Sequence, residues 1–159
     1  MALIKTLNGK TPRFGEGGFV AENATVIGDV IIGNQCTIWY NTIIRGDVNE
    51  IIIGDRVNIQ DLSMVHGTLK TVPTVIGNDV SIGHRAIVHG CEICDKSLIG
   101  MGSIVMDGVT VETGAIVAAG AVVTQNTLVK SRMIYAGTPA RPIGEVSDEM
   151  LEQIDAAME

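Results

Sequence analysis

Residues 93–123 read ICDKSL, IGMGSI, VMDGVT, VETGAI and VAAGAV, closed by Val123. Each block opens on an aliphatic residue, so Ile93, Ile99, Val105, Val111, Val117 and Val123 recur at a step of six. The same step runs back through Ile76, Ile82 and Val88, through Ile53, Ile59 and Val65, and through Val20, Val26, Ile32, Ile38 and Ile44, which makes seventeen hexads. Four residues after the aliphatic the side chain is mostly small or β-branched, as at Val30, Cys36, Thr42, Ser63, Ala86, Ser97, Ser103 and Ala121, and marks an inward corner position. Glycine often follows the aliphatic, as at Gly33, Gly54, Gly77, Gly83 and Gly100, and reads as a tight bend repeated at each strand end. Six-residue repeats of this kind indicate an all-β solenoid, a parallel β-helix whose short strands stack on the next coil about 4.8 Å away and bury their aliphatics on one another.

Composition agrees. The chain of 159 residues is 46% hydrophobic, with 21 Ile and 18 Val against 7 Leu, 19 Gly and five aromatics. Leu- and Ala-rich helix bundles are disfavoured by this balance, and Asn-Gly or Asp-Gly hairpin signals are nearly missing. Hexapeptide-repeat proteins, which this chain resembles, wind three strands per coil into a triangular prism that is usually left-handed; seventeen hexads then make nearly six coils. Connection rules alone favour the right-handed sense, so the handedness comes from the resemblance.

Net charge is -7 with no Lys/Arg cluster, which makes nucleic acid and acidic membrane poor partners for the surface as a whole. No apolar run approaches the ~18 residues of a membrane span, and the first residues are too short an apolar stretch for a signal peptide. A cytoplasmic protein with three reduced cysteines is expected. Cys36 falls at a corner and reads as core. Cys91-x-x-Cys94 lacks the second pair of a structural zinc site, and Met101 and Met106 read as packing.

The register breaks in three places. Three residues are extra around Val48-Asn49-Glu50, five are extra within 68–73, and one is missing between Val88 and Ile93. Such irregularities tend to sit near function, and these flank all three histidines. After Val123 the repeat fades through 135–140. A short helix with Ser147 as N-cap and a stripe of Met150, Leu151, Ile154 and Met158 is then expected to lie against the β-helix or a neighbouring chain. The expected division is 1–143 for the β-helix domain and 144–159 for the C-terminal helix.

Three hexads make one coil, so every third aliphatic shares a column. The column Val26, Ile44, Val65, Val88, Val105, Val123 is followed by Ile27, Arg45, His66, His89, Met106 and Thr124. Arg45, His66 and His89 therefore stack on successive coils of one face, and two imidazoles so stacked can ligate one ion at about 2.0 Å each. His84, two places after Ile82, belongs to a different face. One prism does not readily aim all three at a point, but a ring of three copies brings one chain's His84 against another's His66 and His89. A homotrimer with three shared metal sites is expected. Nitrogen-only ligation suits Zn²⁺, with Co²⁺ or Fe²⁺ as alternatives.

Arg45-Gly46-Asp47, Asn58-Ile59-Gln60-Asp61, His66, Gly83-His84, His89-Gly90-Cys91 and Tyr135-Ala136-Gly137-Thr138-Pro139-Ala140, in this order, resemble the γ-class carbonic anhydrase family over roughly 14–143. The resemblance implies a left-handed β-helix trimer with zinc between subunits, held by His66 and His89 of one chain and His84 of the next. It implies reversible hydration of CO₂ to bicarbonate by a zinc-bound hydroxide. By the same match Arg45 and Asp47 form an intersubunit ion pair, Gln60 orients water or bicarbonate, and Asn58, Asp61 and Tyr135 line the pocket. Asp61 also falls one coil below His84.

Well-characterised members carry a glutamate directly after Arg-Gly-Asp and an acidic loop; here Val48 follows Asp47, and the second insertion holds Thr68, Leu69, Lys70 and Thr71 without a carboxylate. Glu50 reads either as a substitute proton carrier or as a solvated loop residue. Short-loop members include carnitine-operon, phenylacetate-pathway thioesterase and siderophore-binding homologues. The alternatives are therefore a CoA-thioester hydrolase or acyltransferase acting on an acyl-CoA, and a non-catalytic metal-binding trimeric scaffold.

Overall fold

The computed structural model describes residues 1–156, so Met158 of the expected helix stripe lies outside the described residues. Most hexads become strands of two or three residues that pair in parallel with the strand one coil away, as in Ile59↔Ile82↔Ile99 and Val65↔Val88↔Val105, while two longer strands, Thr25–Ile32 and Ile43–Ile53, each run through two hexad positions. Three such columns form the faces of a parallel β-solenoid. It has about seven coils rather than nearly six. The extra coil comes from the ends: Ile4 and Phe14 pair opposite Val26 and Ile32, while Val129 and Tyr135 continue beyond Val111 and Val117. Phe14, Val129 and Tyr135 keep the six-residue step from Val20 and Val123, with two aromatics in place of aliphatics, and only Ile4 lies off it.

The column aliphatics from Val26 to Val123 are buried, and so, where the register is unbroken, are the corner residues four places on at Val30, Cys36, Thr42, Val57, Ser63, Val80, Ala86, Ser97, Ser103, Val109, Ala115 and Ala121. Inward hydroxyls are tolerated because each finds a carbonyl: Thr42 Oγ1 donates to Gln60 O at 3.1 Å, Ser63 Oγ to Gly83 O at 2.9 Å, and Ser97 Oγ to Glu112 O at 3.1 Å. A buried hydroxyl without a partner would be destabilising.

The glycines after the aliphatics have a different purpose from the one expected. Left-handed backbone falls three places after the aliphatic, at Gln35, Arg56, Leu62, Asp79, Arg85 and Lys96 among others. Gly33, Gly54, Gly77, Gly83 and Gly100 instead lie where the next coil comes too close for a side chain. A Cβ on Gly100 would stand 2.5 Å from Ala119 N, and one on Gly33 2.5 Å from Gly54 O.

The three breaks take distinct forms. The first is a bulge in a continuous strand, Ile43–Ile53, whose register against Thr25–Ile32 shifts between Gly28 and Val30. The second is a loop over 67–73. The third turns at Gly90, which has φ +54°. At the C-terminus the helix Asp148–Ala156 is capped by Ser147, whose Oγ accepts from Met150 N at 3.2 Å. It packs on its own solenoid: Ile154 is buried beside Leu98, Ile116 and Ile134, and Arg132–Asp148 (2.6 Å) and Lys96–Asp155 (3.4 Å) pair along its length. No helix among the described residues is long and apolar enough to cross a membrane.

Candidate metal centre

His66 and His89 each follow the buried aliphatic of their strand, so both side chains point outward from one face. The strands Met64–His66 and Ile87–His89 pair with His66 opposite His89, and the rings lie 5.1 Å apart. His66 Nδ1 faces His89 Nε2 at 3.1 Å. Arg45 holds the equivalent place one coil lower, where Ile44 pairs with Val65.

A carboxylate grips each ring from its far side. The bulge carries Asp47 round so that Oδ1 lies 2.8 Å from His66 Nε2, while Oδ2 pairs with Arg45 Nη1 in the same chain. From the coil above, Asp107 Oδ1 lies 2.5 Å from His89 Nδ1, and its Oδ2 accepts from Thr68 Oγ1. Burial by itself would raise Asp47, but the His66 hydrogen bond, its own backbone N–H and the Arg45 charge together hold it below the usual carboxylate range. Burial is likewise outweighed at Asp107 by hydrogen bonds from Thr68 and His89.

This arrangement determines where the hydrogens sit. An ionised carboxylate only accepts, so His66 carries its hydrogen on Nε2 and His89 on Nδ1. With both rings neutral, the two facing nitrogens then both present lone pairs across 3.1 Å. Such a contact calls for a cation between them. Two nitrogens at about 2.0–2.1 Å from one tetrahedral ion stand roughly 3.3 Å apart, so the donor chemistry and spacing fit a divalent metal.

His84 stands at another corner. Its Nδ1 meets Asp61 Oδ2 at 3.0 Å, one coil below, and its half-exposed ring keeps Nε2 as the remaining donor atom. Tyr40 and Met101 share its column, and with Leu62, Ile43 and Ile87 they expose an apolar strip, Met101 at 59% and Leu62 at 56%. Among the described residues of one chain no group of three His, Cys, Asp or Glu comes together as a metal site.

The other expected site residues are placed as follows. Gln60, half-buried beside Asp61, joins the ladder through its N–H to Ile82 O at 2.9 Å. Asn58 is buried, and its Oδ1 accepts from Thr37 Oγ1 (3.0 Å) and Trp39 Nε1 (2.8 Å), which ties down the Trp39 ring against Phe19. Tyr135 is buried in the last coil opposite Val117, four coils above Ile59, which is about 19 Å along the axis at strand spacing. Within one chain it is set apart from the histidine pair. Glu50 is exposed and shares with Asp47, Asp29 and Lys10 the wall of a depression of about 310 Å³.

Asp107 and Thr68 escape the sequence reading. Asp107 had a usable signal, since it follows Val105 by two places in the histidine column, just as Asp61 follows Ile59 below His84. Thr68 had none, because its insertion has no register. Cys36, Cys91 and Cys94 are unpaired, and burial pushes Cys91 up to about 12.

Comparison with known proteins places these features in context. The bacterial transferase hexapeptide (six repeats) family model matches residues 90–125. The chain is 47% identical over 145 residues to gamma carbonic anhydrase 1, mitochondrial, of Arabidopsis thaliana, covering 88% of this chain and 53% of that protein. It is 39% identical over 153 residues to a carbonic anhydrase of Geobacillus kaustophilus, covering 96% of this chain and 84% of that protein. A hexapeptide transferase family protein from Anaplasma phagocytophilum superposes with a TM-score of 0.91 at 38% identity, covering 98% of this chain and 92% of that one. The chain spans about half the length of the plant relatives it matches.

Proposed function

The chain belongs to the γ-class carbonic anhydrase family, and from that premise we propose that it catalyses the reversible hydration of CO₂ to bicarbonate at a divalent metal shared between subunits of a homotrimer. The observation that carries this reading is the pair of facing nitrogens, His66 Nδ1 and His89 Nε2, 3.1 Å apart with the hydrogens of both rings already given to carboxylates. These two would hold the ion together with the partner subunit's His84, whose exposed ring stands in an apolar strip that an interface would cover. Zinc suits three imidazoles, ahead of Co²⁺ or Fe²⁺. An ion so held would supply Lewis-acid activation of water, lowering the pKa of that water toward neutrality.

The protein's own groups do the rest. Asp47 fixes His66 through Nε2–H and holds the Arg45 guanidinium beside the pair, where its remaining N–H donors can receive the bicarbonate anion. Asp61 orients His84 through Nδ1 and leaves Nε2 for ligation. Gln60 offers its amide to substrate. Asn58 steadies Trp39 through its oxygen and keeps its amide N–H donors for the pocket. A proton leaving the site would reach the depression bounded by Asp47 and Glu50, where Glu50 is the exposed carboxylate and Asp47 and Asp29 are half-buried.

Acyl-CoA chemistry is the second reading, supported by the transferase description of the matching family model and of the Anaplasma neighbour. Stopped-flow CO₂ hydration and acyl-CoA hydrolysis and transfer assays on one zinc-loaded sample separate the two. CO₂ hydration lost on chelation and recovered with zinc is expected; acyl-CoA turnover without CO₂ hydration would overturn the first reading.

A further inference from the structure

Asp107 makes the shortest contact to either histidine of the pair. The strand Ile104–Val105 pairs with Ile87–His89, Val105 opposite Val88, and two residues later the carboxylate turns back down onto His89 Nδ1 at 2.5 Å. Asp47 treats His66 in the same manner from the coil below. The imidazole pair is bracketed along the stack by these two carboxylates.

Two register breaks build the seat of Asp107. The residue missing after Val88 brings Gly90 into left-handed backbone, and a Cβ there would stand 3.0 Å from Asp107 Oδ1 and 3.3 Å from Thr68 Oγ1. Glycine leaves room for the carboxylate and hydroxyl to meet over His89. Gly90 is itself pinned: its N–H reaches His66 O (3.1 Å) and Thr74 Oγ1 (3.0 Å), and its carbonyl accepts from Gly108 N at 2.8 Å. The second break delivers Thr68, whose carbonyl accepts from Asn49 Nδ2 at 3.2 Å and whose hydroxyl donates to Asp107 Oδ2.

We propose that Asp107, steadied by Thr68, is a positioning residue that holds His89 as its Nδ1–H tautomer, keeps the Nε2 lone pair turned toward His66 Nδ1, and so sets the metal affinity of the centre. The proposal rests on the metal reading of the previous subsection. Neutral imidazole otherwise divides between two tautomers, and a hydrogen on Nε2 would block ligation at the one atom that faces His66. Partners of this kind on a ligating histidine are typically worth about 10–100-fold in metal affinity.

The test uses the full chain with histidine ¹⁵N-labelled, as wild type, Asp107→Asn and Thr68→Val. In the metal-free proteins at about pH 8.5, above the ordinary imidazole range, ¹⁵N shifts report the His89 tautomer. Cobalt(II) dissociation constants follow from chelator competition. Wild type should show a protonated Nδ1 and a bare Nε2. In Asp107→Asn the side-chain amide can donate to Nδ1, so hydrogen should move to Nε2 and Co²⁺ affinity should fall about 10–100-fold. Thr68→Val should shift both readouts the same way by less, and it serves as the deciding variant if Asp107→Asn does not fold. An unchanged His89 tautomer, or Co²⁺ affinity within about twofold of wild type, would overturn the proposal. Failure of the wild type to bind Co²⁺ defeats the metal reading and the affinity claim with it, while the metal-free spectra still decide whether Asp107 sets the tautomer.

Discussion

Asp47 and Glu50 lie three residues apart in one bulge and face different surroundings. Asp47 is engaged by His66 and Arg45, whereas Glu50 is exposed on the wall of the depression they share. A carboxylate in contact with water can pass protons to buffer, so Glu50→Gln should lower the CO₂ hydration turnover several-fold at low buffer concentration, with recovery as buffer is raised. No change at low buffer would identify Glu50 as a merely solvated residue. On the opposite side of the prism, Arg56 Nε donates to Asp79 Oδ1 at 2.6 Å. That hydrogen bond, with the guanidinium charge, holds the Asp79 carboxyl below the usual range. A depressed carboxylate contributes stability above its unfolded pKa of about 4, and the contribution is lost as pH falls through the folded value. Asp79→Asn, which tolerates the left-handed backbone at this corner, should therefore melt below wild type near neutrality. The gap should close on acidification below about pH 4 and narrow with added salt. A gap independent of pH would mean that the ion pair contributes nothing.

At the scale of the coil, the corners divide two demands between two positions. Where glycine directly follows the aliphatic, as at Gly33, Gly54, Gly77, Gly83 and Gly100, it is there because the next coil comes too close for a side chain, and the place three after must accept positive φ. Gly100 and Gly102 separate these demands cleanly. A Cβ at Gly100 would meet three backbone atoms of residues 117–119 at 2.5–2.6 Å, whereas one at Gly102 meets nothing within 4 Å but takes φ +68°. Gly100→Ala should cost about 3 kcal/mol, the upper part of the overpacking range. Gly102→Ala should cost about 1 kcal/mol, the penalty of left-handed backbone for a residue with a Cβ. Urea melts of the two variants check the order, and equal losses would contradict the assignment. The glycines themselves were legible in the sequence, but their purpose was not. Spacing records how often a small residue recurs, and only the coil-to-coil distance shows that contact rather than bending requires it.

For the whole molecule, the decisive feature is that His84 faces away from His66 and His89. If the centre is shared as proposed, His84→Ala removes one ligand from every site of the trimer. Metal analysis should then find zinc lost throughout, while circular dichroism of the solenoid stays as in wild type, since the half-exposed ring supports no core packing. Stoichiometric zinc retained in that variant would refute the shared centre. The separation of the histidines is legible in the sequence, because a six-residue period converts directly into columns: every third aliphatic must stack, and whatever follows it stacks too. The coil path, the buried aliphatics, the inward corners, the His66–His89 pairing and the Asp61–His84 pairing all follow from that one period. The irregular parts do not. Whether the bulge around Asp47 would return to His66, whether the turn at Gly90 and the loop carrying Thr68 would seat Asp107 over His89, and whether the C-terminal helix would dock on its own solenoid depend on backbone directions at breaks in the repeat. There the period no longer constrains the chain, and contacts distant in sequence decide the outcome.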